Sequence, residues 1–256
     1  MLLVSKRLVA QQMTLQHLAA IRELLCASSF CAYFNSWCAS ASVNHFHCHL
    51  IDELPPVGHL PLASGPLVLG QRVLQPQGFT GFCYVFTWQQ IDLIDAVVRA
   101  MQSDNQPHNF MFTSRLVYVF SKPLQRPERS LELYPETVGG PELVGSFTVY
   151  KRGEYDGLTL TDIEELVRIN TAPLPSRLLR RGGVGDCIDD GAVQAPSVAP
   201  AHGSEHRDCA APADVLPPRP AVPMSVSLDR FDWRSGRGVR PTPSAASARS
   251  GGGGFR

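Results

Sequence analysis

His45-Phe46-His47-Cys48-His49-Leu50 places three histidines at every second position with apolar residues between them. A strand repeats every two residues, so this spacing predicts one strand face lined by His45, His47 and His49 and an opposite face of Phe46, Cys48 and Leu50. Imidazole titrates near 6.5, so a row of imidazoles offers a neutral nucleophile, a protonated donor and an anion clamp at about neutral pH. That combination suits chemistry on phosphate. Two other readings compete. Alternating histidines also ligate zinc, with Cys26, Cys31, Cys38 and Cys48 close in sequence but without a Cys-x-x-Cys pair. The blander reading is a histidine-rich strand whose nitrogens are satisfied by backbone or water.

The bulk composition narrows the class. The 256 residues allow one sizeable domain or two small ones. With 23 basic and 23 acidic side chains the formal net charge is zero, so no global field draws the chain to nucleic acid or an acidic membrane, and any anion must be bound locally. Seven cysteines without a framework spacing suit reduced thiols. No run approaches the ~18 apolar residues that span a bilayer, and Met1-Leu2-Leu3-Val4 is wrongly flanked for a signal peptide. The expectation is a cytoplasmic protein. Neither a GxGxxG nor a P-loop pattern occurs.

Along the first 170 residues the pattern is that of a mixed α/β unit. Leu2-Leu3-Val4 opens a strand, and Thr14 caps a helix with Leu15, Leu18, Ile21 and Leu25 on one face. The histidine strand follows, then a loop marked by Pro55, Pro56, Pro61 and Pro66. Gly81 to Phe86 reads as a strand. Thr87-Trp88-Gln89-Gln90 has capping-box form before a helix carrying Ile91, Ile94, Val98 and Met101. Phe110 to Thr113, Leu116 to Phe120 and Leu143 to Tyr150 read as strands. Thr161-Asp162-Ile163-Glu164 opens a last helix to about Ile169. Composition then shifts to Pro, Ala, Gly, Ser and Arg, so residues 171–256 are expected to form a mostly disordered tail. Within it Leu228-Asp229-Arg230-Phe231-Asp232-Trp233 is a small apolar patch.

The run Tyr33-Phe34-Asn35-Ser36-Trp37-Cys38-Ala39-Ser40-Ala41-Ser42-Val43-Asn44-His45-Phe46-His47-Cys48-His49 closely resembles the active-site segment of the GDP-hexose phosphorylases, a branch of the histidine-triad (HIT) superfamily. In that family an aromatic-x-Asn-Ser segment leads through small residues into Ser-x-Asn-His-x-His-x-His or -Gln. His49 makes this chain more similar to the GDP-D-glucose phosphorylases than to the Gln-ending GDP-L-galactose phosphorylases. Asn109 to Thr113 and Glu142 to Arg152 resemble the family's later strands, so the likeness covers residues 1–170. It implies an α/β (α+β) HIT-like fold with a mainly antiparallel sheet and flanking helices. It also implies a possible homodimer.

The same resemblance assigns roles. His47 takes the nucleophile's place, attacking the α-phosphorus of a GDP-hexose and expelling hexose 1-phosphate. Inorganic phosphate then releases GDP from the guanylylated histidine. For this, the other ring nitrogen of His47 should donate to an oxygen. His45 and His49, about 7 Å to either side by strand rise, are expected to bind phosphate, with Asn35 and Ser36 as further donors or as turn formers. Asn44 is expected to satisfy backbone. His59 and His108 are expected at the surface, and Lys151 and Arg152 as a solvated pair at a strand end. No cofactor, metal or nucleic acid is expected. Family members carry a segment upstream of the strand at Leu2-Leu3-Val4 that supplies part of the nucleotide pocket. The resemblance therefore leaves open a hydrolase using water, or a nucleotide-binding relative with an incomplete pocket.

Overall fold

Among the described residues, nine strands and six α-helices run from Leu2 to Ile169: β1 (Leu2–Val4), α1 (Leu15–Cys26), β2 (Cys31–Asn35), β3 (His47–Ile51), β4 (Leu62–Val68), β5 (Gln71–Pro76), β6 (Tyr84–Thr87), α2 (Ile91–Ser103), β7 (His108–Phe112), β8 (Leu116–Ser121), α3 (Glu128–Leu133), α4 (Gly140–Leu143), β9 (Ser146–Thr148), α5 (Arg152–Gly157) and α6 (Leu160–Ile169). This computed structural model describes residues 1–179 and the backbone of three short strands, Ser225–Ser227, Phe231–Asp232 and Arg237–Gly238. The first of these pairs with β9. The expected disorder of the rest of the tail, and the side chains of Leu228 to Trp233, lie outside the described residues.

Eight strands form one antiparallel sheet in the order β1-β3-β2-β7-β8-β6-β5-β4. Its centre is buried on both faces, which is why β7 and β8 read as unbroken apolar runs rather than alternating ones. On one face Ala32, Phe34, Phe110, Phe112, Val117 and Val119 pack against Leu18, Ile21 and Leu25 of α1 and Ile94, Val97 and Val98 of α2. On the other, Tyr33, Val85, Met111, Tyr118 and Phe120 pack against Leu143 of α4 and Ile163 and Leu166 of α6. Each fully buried aromatic or aliphatic side chain here contributes about 1.5–3 kcal/mol.

The caps explain where the helices start. Thr14 accepts from the His17 amide at 3.3 Å, and Gln90 Oε1 accepts from the Thr87 amide at 3.1 Å to open a turn that runs into α2. The last helix begins two residues earlier than its sequence signal: Thr159 is the cap, with Asp162 accepting from its amide at 2.9 Å. Two further readings change. The proline-marked stretch after β3 is a loop only as far as Pro61; β4 and β5 then form a hairpin at the sheet's edge, where Pro66 falls at a register shift and needs no ladder donor. The strand expected from Leu143 shrinks to β9, because Pro141 at the helix start and a capping Glu142 turn Gly140–Leu143 into α4.

The boundary at residue 170 also moves. Thr171 Oγ1 accepts from the Phe82 amide at 2.9 Å, the Ala172 amide donates to Ser121 O at 2.8 Å, and Leu174 and Leu178 are 2% and 3% exposed within the core. Among the described residues no helix is long and apolar enough to cross a membrane.

Candidate active site

Strand β3 begins at His47, not His45. Upstream, the chain bends at Asn44 and His45: Asn44 Oδ1 accepts from the Gln11 amide at 3.0 Å, and the Phe46 amide donates to Val9 O at 3.0 Å. The expected three-histidine wall is therefore two histidines and a neighbour. His47 and His49 share a face, with ring centroids 5.6 Å apart, while Phe46, Cys48 and Leu50 are buried beneath them. His45 instead turns its ring to Ser5, whose carbonyl accepts from Nε2 at 2.9 Å.

What His45 supplies to the strand is its backbone. His47 Nδ1 lies 2.8 Å from the His45 carbonyl oxygen. A carbonyl only accepts, so Nδ1 carries a proton and, in the neutral ring, the lone pair falls on Nε2. His47 is 6% exposed, so its orientation is fixed by packing as well as by this bond. His49 is more open, and partial burial followed by the charge of His47 pushes its pKa below the ordinary histidine value. At neutral pH it is a hydrogen-bonding imidazole rather than a cation. Cross-strand neighbours of this pair are Val4, opposite His47, and Leu2, opposite His49, both exposed.

Asn35 and Ser36 lie where β2 ends beside this face, yet their side chains are committed to the protein. Asn35 Oδ1 accepts from Asn109 Nδ2 at 2.7 Å and from the Gly140 amide at 3.0 Å. Ser36 Oγ accepts from the His108 amide at 2.9 Å. They tie the loop after β2 to β7 and to the start of α4, in keeping with the turn-forming alternative for this pair. Gly140 is required by that approach: a Cβ there would sit 2.8 Å from Asn35 Oδ1. Over the same region the buried Lys122 Nζ donates to Val138 O, and Ser40 Oγ donates to it at 3.2 Å.

Gln11 carries no periodic signal in the sequence, where it stands beside Gln12 between a short apolar stretch and a helix cap. It is fully buried and bonds both the amide and the carbonyl of His47. His108 is not at the surface as expected: it opens β7 and is 2% exposed. His59 is exposed, with Nε2 3.2 Å from Leu54 O. Lys151 and Arg152 lead into α5 and pair on the surface with Glu154 and Asp156. Among the described residues no three His, Cys, Asp or Glu side chains converge as a metal-ligand set.

No protein-family model matches the sequence, and no curated protein is significantly similar to it. Solved structures do resemble it. Yeast Ap4A phosphorylase in complex with Ap4A superposes with a TM-score of 0.51 at 15% identity, covering 66% of this chain and 68% of that one. A second structure of the same yeast enzyme gives 0.50 at 16% identity, covering 67% and 70%. The chain thus has the fold of that phosphorylase, a HIT-like antiparallel sheet flanked by helices.

Proposed function

We propose that this chain is a nucleotidyl-transferring phosphorylase that uses His47 as its nucleophile and a GDP-hexose, GDP-D-glucose foremost, as its donor. The observation that carries this reading is the His47 Nδ1–H bond to the His45 carbonyl at 2.8 Å, which puts the lone pair of the neutral ring on Nε2, on a face shared with His49. Nε2 attacks the α-phosphorus, the bond from that phosphorus to the bridging oxygen breaks, and hexose 1-phosphate leaves with the electron pair. The ring keeps its Nδ1 proton, and the positive charge it gains is stabilised by the His45 carbonyl. An oxygen of inorganic phosphate then attacks the phosphorus of the guanylyl-histidine, the P–N bond breaks, and GDP departs. A neutral imidazole avoids the charge repulsion that phosphate would meet in attacking the diphosphate directly. His49, on the same face, donates to the phosphoryl oxygens.

The test is the intact mass of the protein after brief incubation with GDP-glucose in the absence of phosphate. A GMP-sized adduct on the wild type, absent from His47→Ala and discharged as GDP on adding phosphate, supports the reading. Discharge by water at the same rate with or without phosphate would make the chain a hydrolase. A folded protein that binds GDP and forms no adduct would leave it a binding-only relative. The fold likeness to an Ap4A phosphorylase favours one other donor, a dinucleoside tetraphosphate. The same nucleophile then carries AMP, and incubation with Ap4A yields an AMP-sized adduct instead.

A further inference from the structure

Hydrogen bonds from residues 5–11 converge on the stretch from Asn44 to His47. The Ser5 amide donates to Phe46 O at 3.1 Å, and the Phe46 amide donates to Val9 O at 3.0 Å. The His45 ring donates from Nε2 to Ser5 O at 2.9 Å, and the Gln11 amide donates to Asn44 Oδ1 at 3.0 Å. The Gln11 side chain takes both polar backbone groups of His47. Gln11 therefore spans the bend: its backbone holds Asn44 on one side of His45, and its side chain holds His47 on the other. Between those two fixed points the His45 carbonyl is aimed at His47 Nδ1, 2.8 Å away.

The same side chain sets the lie of β3 against β2. Gln11 Nε2 donates to Asn35 O as well as to His47 O, so a carboxamide stands between the strands two residues beyond their last direct pair, Tyr33 with His49. Directly paired strands lie ~4.8 Å apart, and an interposed amide keeps this end of the sheet wider. Without the amide, Asn35 and His47 close toward a direct ladder. The start of β3 then moves while Cys48 and Leu50 stay packed in the core. Gln11 and His47 are both buried, so bulk water does not stand in for the lost bonds.

We propose, on the reading of His47 as the nucleophile, that Gln11 is a positioning residue of the transfer, with Asn44 as its anchor. Gln11 bonds the backbone of His47 and acts through it. It keeps the His45 carbonyl on His47 Nδ1, which puts the lone pair of the neutral ring on Nε2 and fixes the line along which Nε2 meets phosphorus. A misplacement of about 1 Å in such an attack costs roughly a hundredfold in rate. Loss of Gln11 therefore slows formation of the nucleotidyl-histidine and leaves nucleotide affinity as it was.

Two measurements on the full chain test this, and the first needs no turnover. Nitrogen NMR of the histidine rings at about pH 8, above the ordinary imidazole range, identifies the His47 signals by their loss in His47→Ala. The wild type should show a proton on Nδ1 and a bare Nε2, and Gln11→Ala a mixture of the two tautomers. Asn44→Ala, at an exposed position, removes only the anchor and should shift the same signals part of the way, so the test stands even if Gln11→Ala does not fold. The second measurement is the rate of adduct formation with saturating GDP-glucose or Ap4A and no phosphate. It should fall roughly a hundredfold in Gln11→Ala and roughly tenfold in Asn44→Ala, the loss expected for one hydrogen bond, with half-saturating concentrations unchanged. Leu178→Ala, a core substitution beside Leu69 toward the opposite edge of the sheet, should keep the wild-type rate. A wild-type His47 protonated on Nε2 alone, tautomers unchanged in both variants, unchanged rates, or an equal loss in Leu178→Ala would each overturn the assignment. A wild type that forms no adduct with either donor overturns the phosphorylase reading instead, and the ring spectra still decide whether Gln11 positions His47.

Discussion

Gln11 holds both backbone polar groups of His47: its Oε1 accepts from the His47 amide at 2.8 Å and its Nε2 donates to the His47 carbonyl at 3.0 Å. The same Nε2 donates to Asn35 O at 2.8 Å. Direct pairing of β2 with β3 runs from Cys31 and Ile51 to Tyr33 and His49 and goes no further. Beyond it one side-chain amide substitutes for the ladder, and the backbone of His47 is set by a residue 36 positions away.

Gln11→Ala removes that amide and leaves buried donors and acceptors unpaired, each costing about 1–3 kcal/mol. Urea unfolding should show a loss of about 3 kcal/mol or more. Gln11→Glu keeps an acceptor for the His47 amide but sets a carboxylate against two carbonyls, so it should rescue little. A loss below about 1 kcal/mol in Gln11→Ala would show that β2 and β3 hold their spacing without the amide.

His108 should make the fold acid-sensitive well above the carboxylate range. Its pKa is about 4 in the folded chain, against 6.5 when exposed. Between these values the unfolded chain holds a proton that native His108 does not, so stability falls as pH drops through the window, by about 3 kcal/mol in all. Burial lowers His17 and His49 too, which adds to the slope with the same sign. Urea unfolding at stepped pH between 7 and 4 reads this out. In His108→Gln the slope should flatten by about one proton; an unchanged slope would mean that native His108 titrates normally.

At alkaline pH two effects oppose each other. Burial pushes the Lys122 pKa down to about 8, against 10.5 when exposed, with Glu142 raising it and Arg126 lowering it further. Above pH 8 the native lysine sheds its proton before the unfolded one does, and stability gains. Buried Cys31 and Cys48 are pushed up to about 11 and 12, and Cys83 rises as well. Exposed thiols ionise near pH 9, so above it the unfolded chain loses protons that the native chain keeps, and stability falls. Three thiols outweigh one lysine, and stability should decline above about pH 9. Lys122→Met should steepen that decline by about one proton, or about 1.4 kcal/mol per pH unit. Equal slopes in the two proteins would place the Lys122 ammonium in an environment as polar as water.

Features that depend on near neighbours were legible in the sequence. Alternation placed His47 and His49 on one face, and Thr14 and Thr87 marked the starts of their helices. Features set by distant partners were not. Gln11 is tied to residues 24 and 36 positions away and looks in sequence like any loop glutamine. His108 was misread because Pro107 suggested a loop, whereas the residues that bury its ring, Phe34 and Phe110, come from the sheet itself. His45 kept the right spacing for the strand but lost its place there, since a bend held by Asn44 and Gln11 precedes His47.

The stretch after α6 shows the same limit at the scale of a domain boundary. Prolines and a falling apolar content from Thr171 onward read as a tail, yet Leu174 and Leu178 enter the core beside α2 and β6. Their backbone is tied down as well: the Leu174 amide donates to Tyr84 Oη at 3.1 Å, and the Leu69 amide donates to Leu178 O at 2.8 Å. Leu174→Ala and Leu178→Ala should each cost about 2–5 kcal/mol through lost burial and the cavity left behind. Because the two side chains share one core, the double variant should fall short of the sum. Thermal unfolding of the three variants measures both effects. Melting temperatures equal to the wild type's would make residues 171–179 dispensable to the fold and return its boundary to residue 170.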